Sequence, residues 1–323
     1  MKPLPRQPMK RATSRGLSLI ELLVSLAIGI ILMIAVISAY LGSSGASRVA
    51  DAQVRMNEDA QAALTILVQQ LRMAGNNPKQ PNYTNAAPRN PIYDATTYIL
   101  RGCDGTFSDI TTAASLQTLT CAAGGGTAPD SVGISYEADR YNTIPTGANV
   151  PTDCLGQGVP VINGTQDVWD GAAVTPTAVS YYVADNRFYI ATSSVITAPT
   201  LYCKGNGGAN PQPLVENIED LQFTYGTATA AAAADALAVA GYLTANEVVT
   251  NADLTALATE PERWAKVLTV RICVVARSEQ QVVSDAASAR YVQCDGTTNT
   301  APPDLRLRRA YSTVVVLRNR APS

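Results

Sequence analysis

Between Arg15 and Arg48 the only charged side chain is Glu21, and residues 22–41 are apolar or small almost throughout. At a rise of about 1.5 Å per residue this run makes a helix of roughly 30 Å, the thickness of a bilayer's hydrocarbon core. Beyond it the pattern becomes periodic. Val49, Ala52, Met56, Ala60, Ala63, Leu67, Leu71 and Ala74 recur at spacings of three and four, while Arg48, Asp51, Arg55, Glu58, Asp59 and Arg72 fall mostly elsewhere. That spacing predicts an amphipathic helix with one buried stripe. Gly75-Asn76-Asn77-Pro78 supplies its stop: residues tolerant of the left-handed conformation, then a proline that cannot continue a helix. Gly42-Ser43-Ser44-Gly45 is a soft joint of low propensity between the halves. The expectation is one helix over 17–74, roughly 85 Å long, with 17–41 crossing a membrane and 42–75 as its amphipathic half.

From residue 76 onward the pattern is that of strands and turns. Residues 78–127 are loop-rich, with Asn-Pro and Ala-Pro steps and the run Gly124-Gly125-Gly126. Residues 131–136 alternate like a strand. Two β-rich runs, 178–184 and 187–191, flank Asp185-Asn186 and read as a hairpin with a two-residue turn. Residues 214–221 read as a short helix leading into a strand over 222–225. The alanine-rich stretch at about 228–258 offers little to bury and is expected as an exposed insertion, weakly helical over 230–240. Strands follow at 267–275 and 311–317, the last bracketed by Arg306, Arg308, Arg309, Arg318 and Arg320, which on simple grounds are solvated edge charges.

Charge gives this pattern a direction. Lys2, Arg6, Lys10, Arg11 and Arg15 precede the apolar run with no acid among them, which keeps the start cytoplasmic and sends everything after Leu41 across the membrane. Losing residues 1–16 would move the formal charge from −2 to −7, with 19 Lys plus Arg against 26 Asp plus Glu. A chain of that sign lacks the clustered cations of a nucleic-acid binder, and no nucleic-acid partner is expected.

Six cysteines, Cys103, Cys121, Cys154, Cys203, Cys273 and Cys294, all lie on the far side. An even count in an oxidising compartment reads as three disulfides, although sequence leaves fifteen connectivities open. Least loop closure favours pairing in chain order. With no histidine and no CxxC pair, neither a metal site nor any other cofactor is expected. The same absence removes the imidazole base and the Ser-His-Asp set, and no GxSxG, P-loop or HExxH motif occurs, so the chain does not read as an enzyme. A carboxylate pair that meets only in the fold stays open at this stage.

Three readings compete for the first stretch. A cleaved secretory signal shares the basic start, and Ser44-Gly45-Ala46 offers a small-x-small site, but its apolar core is usually shorter and holds no acid. A plain signal anchor leaves Glu21 unexplained, although an acid in a membrane span is by default functional. The third is a resemblance: Arg15-Gly16-Leu17-Ser18-Leu19-Ile20-Glu21-Leu22-Leu23 resembles the class III signal of type IV pilins and type II secretion pseudopilins. The resemblance implies that prepilin peptidase cuts between Gly16 and Leu17, leaving 1–16 as a cytoplasmic leader. It implies N-methylation of Leu17, where the family more often has Phe, and a role for Glu21 in assembly. A new α-ammonium and a carboxylate four residues apart are each costly in lipid, so pairing between neighbouring subunits would relieve both.

Later residues narrow the resemblance. The segment 214–226 (LVENIEDLQFTYG), Trp264 with 267–271, Arg308-Arg309 ahead of Leu317-Arg318-Asn319-Arg320, and 64–75 ending in Leu71-Arg72-Met73-Ala74-Gly75 are similar to the PilW group of minor pilins. Residues 78–210 carry little of it. The implied fold is α+β, the pilin fold: a long N-terminal helix, transmembrane then amphipathic, packed on an antiparallel β-sheet domain within 76–323. The implied role is a low-copy structural subunit of the type IV pilus that primes assembly and sits near the tip, supporting twitching motility and adhesion. Its partners would be other minor pilins, the major pilin, a large tip adhesin, prepilin peptidase and the inner membrane, with the bulk periplasmic before it enters the extracellular pilus. A J-type pseudopilin of type II secretion shares the anchor and stays open, as does a ligand-binding tip adhesin or DNA-uptake pilin, for which the C-terminal arginines offer the only basic stripe.

Overall fold

The three-and-four spacing seen in the sequence closes into the second half of α1 (Leu19–Met73), where Met56, Ala60, Ala63, Leu64, Leu67 and Leu71 are buried. The computed structural model describes residues 16, 18–78, 89–94, 96–123, 126, 128–169, 172–233 and 238–319. It divides into two compact units, Met1–Ala50 and Asp51–Ser323. The described part of the first is the apolar half of α1. The second holds the amphipathic half and every strand.

In chain order the remaining elements are β1 (Leu100–Cys103), β2 (Ser131–Glu137), β3 (Val161–Trp169), β4 (Val174–Ala191), β5 (Thr200–Lys204), β6 (Gln212–Glu216), β7 (Ile218–Thr227) and β8 (Gly241–Leu243). Then come α2 (Ala245–Thr250), α3 (Glu260–Trp264), β9 (Val267–Gln281), β10 (Tyr291–Val292), β11 (Thr298–Asn299) and β12 (Arg306–Val316). One sheet runs β1-β2-β4-β5-β6, with β3 joined to β4, and a second runs β12-β9-β7-β8. Their pairings are antiparallel. The helix stripe, Leu100, Ile134 and Phe188 from the first sheet, and Phe223, Tyr225, Val270 and Ile272 from the second share one apolar core, with Trp264 edge-on to Tyr225 at 4.8 Å between ring centroids. An α+β fold with the helix packed on antiparallel sheets follows from an amphipathic helix that must cover its stripe.

Disulfides join Cys103 to Cys121, Cys154 to Cys203 and Cys273 to Cys294. The first staples the loop-rich stretch to β1. The second ties the loop before β3 to β5, and the third holds the β10–β11 ribbon to β9.

Three local expectations are corrected. Asp185-Asn186 is not a turn: β4 runs straight through it, because both buried side chains find partners in the fold. Asp185 pairs with Arg187 at 3.0 Å and accepts from Leu116 N–H, while the Asn186 amide donates to Gln70 Oε1 on α1 at 2.8 Å and its carbonyl accepts from Cys154 N–H at 3.0 Å. Residues 214–221 form no helix but the end of β6 and the start of β7, separated at Asn217, whose φ of 61° sits in the left-handed region that Asn tolerates. The alanine-rich stretch is also partly built in: Ala228, Ala245, Val248 and Leu254 are buried. Thr244-x-x-Glu247 and Thr259-x-x-Glu262 form capping boxes that start α2 and α3 within and after it. Of the span expected to be weakly helical, 234–237 lies outside the described residues.

Candidate assembly interface

Among the described residues none covers the apolar half of α1. From residue 19 to 50 no side chain is buried, and Leu19, Leu32, Met33, Val36 and Leu41 each keep more than half of their surface exposed. The helix is long and apolar enough to cross a membrane, and so much exposed hydrocarbon calls for lipid or for other helices. It stays helical through the soft joint, where the Ser44 hydroxyl donates to Leu41 O and the Ser47 hydroxyl to Ser43 O, each at 3.1 Å.

Glu21 sits in the first turn of this helix, and among the described residues its carboxyl has one hydrogen-bond partner. Ser18 N–H donates to Glu21 Oε2 at 3.1 Å. Ser18 directly precedes the helix and Glu21 is its third residue, so the contact is the reach-back half of a capping box. The S-x-x-E pattern is plain in the sequence, though the apolar context drew attention to the charge instead. This bond uses one acceptor position of an exposed carboxyl and leaves others to spare. Gly16 is exposed, with open space around the position a Cβ would take. Leu17 and the basic leader lie outside the described residues.

Within the second unit, polar contacts fix the amphipathic half of α1 to the sheets at three levels. Tyr311 of β12 donates to Asn57, Asn186 of β4 donates to Gln70, and the Asn319 amide donates to Arg72 O at 3.0 Å. The helix then ends at Gly75, whose φ is +71° and whose N–H reaches Ser135 O on β2 at 2.8 Å. A β-carbon there would land on the Asn319 carbonyl and lie 3.1 Å from Ile99 Cδ1.

The C-terminal arginines do not act alike. Arg308 has none of its side chain exposed and binds Glu219 at 2.5 Å and Asp304 at 2.8 Å, so it is an internal cross-link between β12 and β7 rather than a solvated edge charge. Arg306 pairs with Asp304 at 2.5 Å. Arg309 and Arg318 are exposed, and Arg320 lies outside the described residues. The basic stripe therefore loses two of its members to internal ion pairs.

A cleft of about 970 Å³ runs past β1, β7 and the N-terminus of α2, lined by Asp104, Asp130, Asp220, Glu260 and Asp295. These carboxylates already have work: Asp104 accepts from Ala245 and Asn246 N–H, and Asp130 from Gly105 and Phe223 N–H at 3.0 and 2.8 Å. Burial pushes the Asp130 carboxyl up to about 7 despite those donors. Among the described residues no group of three or more His, Cys, Asp or Glu is placed to hold a metal.

Residues 187–319 match the family model described as Type IV Pilus-assembly protein W, and residues 11–37 match the Prokaryotic N-terminal methylation motif. No curated protein and no solved structure matches the chain. The first match begins in the last third of β4 and ends at Asn319, thus taking in the Arg308 cross-link and the residue that seats the helix end, and the second spans Gly16, Glu21 and the first part of the exposed apolar helix. Together the two matches place a type IV pilus-assembly protein W region behind an N-terminal methylation motif, the pattern of a pilin-type structural protein rather than of an enzyme family.

Proposed function

We propose that this chain is a minor pilin that joins other minor pilins in a priming complex, starts polymerisation of the pilus and remains near its tip, where it supports twitching motility and adhesion. The observation that carries this reading is the uncovered apolar helix with a single carboxylate in its first turn. Prepilin peptidase cuts after Gly16 and the new terminus at Leu17 is methylated. The second unit folds in the periplasm, and the anchor then passes from the inner membrane into the filament. In the filament, Glu21 pairs with the α-ammonium of a neighbouring subunit, since two charges each costly in an apolar setting relieve one another.

The capping bond from Ser18 sets the design of the test. Glu21→Gln keeps an acceptor for Ser18 N–H and removes the charge, whereas Glu21→Ala removes both. Charge pairing predicts that both variants lose incorporation into sheared pili. If Glu21→Gln is incorporated as well as the parent chain, the carboxylate serves the helix start and the pairing idea falls. Deleting the gene should abolish surface pili and twitching; intact pili with failed protein secretion would select the type II pseudopilin role.

A further inference from the structure

The outer edges of the two sheets are guarded, with one exception. β1 is four residues long and carries Arg101, β6 has Pro213 and Glu216, β8 is three residues long, and β12 carries the half-buried Arg306 and the exposed Arg309. Short length, proline and charge are the usual means of keeping an edge from pairing with another chain. β3 is nine residues long, VINGTQDVW, and its only charge is Asp167. Its one strand partner is β4, through a nine-pair register from Val161↔Tyr182 to Trp169↔Val174. Among the described residues none pairs with the other side of β3. The opposite edge of this ribbon, on β4, is blunted by Pro176.

Register shows which groups the open edge offers. Pro176 has no N–H, so its pair with Asp167 is not one that exchanges hydrogen bonds. Alternation from that pair turns the N–H and C=O of Val161, Asn163, Thr165 and Asp167 away from β4. The far end agrees: Tyr182, opposite Val161, sends its carbonyl outward to Ala138 N–H at 2.9 Å. One face of the ribbon is covered, since Gln166 donates to Arg89 O at 2.6 Å and Tyr181 OH to Pro91 O at 3.3 Å. Val161, Asn163, Thr165 and Asp167 on the other face are exposed. A two-stranded ribbon gains stability from a third strand, and a row of unpaired peptide groups at strand spacing selects an extended backbone as its occupant.

We propose that the outer edge of β3 receives an extended segment of another pilus subunit, which adds a strand beside Val161–Trp169. This rests on the chain's being a pilus subunit. Main-chain hydrogen bonds hold the incoming strand, and its side chains are apolar or uncharged apart from at most one basic residue opposite Asp167.

The test uses the full chain in piliated cells. A photo-crosslinking phenylalanine analogue is placed in turn at positions 163, 165 and 167. Strand addition predicts adducts to one segment of another subunit, with the attachment point advancing two residues at each step. Absent adducts, attachment points that do not advance, or adducts joining two copies of this chain would overturn the proposal. In parallel, Thr165→Pro removes one outward N–H and leaves the β4 bonds intact, while Thr165→Ala removes only the side chain. Incorporation into pili should fall about tenfold for the first relative to the second, a loss of about 1.4 kcal/mol, and equal incorporation refutes strand addition. If even the parent chain is missing from pili, the pilus reading fails, while the stepping of the adducts still decides whether the edge is used.

Discussion

Gly75→Ala puts the seat of the helix to a quantitative test. At φ +71° alanine pays roughly 1–2 kcal/mol that glycine does not. Its methyl group also collides with the Asn319 carbonyl and crowds Ile99 Cδ1 at 3.1 Å, so the tail after β12 has to retreat. The bond from the Asn319 amide to Arg72 O, 3.0 Å long, goes with it at about 0.5–1.5 kcal/mol. Against this, alanine restricts the unfolded chain by about 0.4–1 kcal/mol. The net expectation is a loss of about 2 kcal/mol. Urea unfolding of the full chain in detergent, followed by tryptophan fluorescence to which the buried Trp264 contributes, measures it. Gly241→Ala is the control, because that position has open space and no positive φ. A Gly75→Ala midpoint no lower than the control's would show that the helix end is not locked as described.

Two further outcomes concern buried charge. Asp130, pushed up to about 7 from an ordinary 3.8, keeps in the folded state a proton that the unfolded chain has released. Stability measured by denaturation should therefore fall as pH rises from about 4 to about 7, and Asp130→Asn should flatten part of that slope, with Asp220, Glu137 and Asp59, which burial also shifts upward, acting in the same direction. Arg308→Met strands Glu219, leaves Asp304 with Arg306 alone, and should cost on the order of 3 kcal/mol in the same assay, with no gain of stability from the added apolar carbon. Burial opposes ionisation of Asp304, but hydrogen bonds from Arg308 and Arg306 hold its carboxyl well below the usual range, so its contribution is present above about pH 4 and disappears as the pH falls further.

The sequence made the helix legible because a period near 3.6 survives over many turns and Gly75 with Pro78 marks its end. Strands 131–136, 267–275 and 311–317 were legible for a similar reason, being dense in β-branched and aromatic residues between turn signals. What misled were segments whose local signal is overruled by distant partners. Leu214, Ile218 and Leu221 have helical spacing, yet Val215, Ile218 and Leu221 are all buried in strands, and the irregular register of β7 on β9 between Ile218 and Asp220 absorbs the mismatch. Asp185-Asn186 looks like a turn until Arg187, Gln70 and Leu116 are brought to it from far along the chain. Arg308 reads as a surface charge because Glu219, its counter-charge, lies 89 residues earlier. At the candidate interface, Glu21 was conspicuous through its apolar surroundings, whereas its capping role needed the start of the helix to be located. The open edge of β3 needed the whole sheet order, which no local pattern contains.

The contact between Asn319 and Arg72 joins residues 247 positions apart. A bond of such separation closes a long loop, so its closure entropy has to be met before it forms. A chain truncated before Asn319 keeps its apolar helix and Glu21 but has no latch for the far end of the helix. Asn319 thus secures, from far along the chain, the helix end that the residues before Gly75 build.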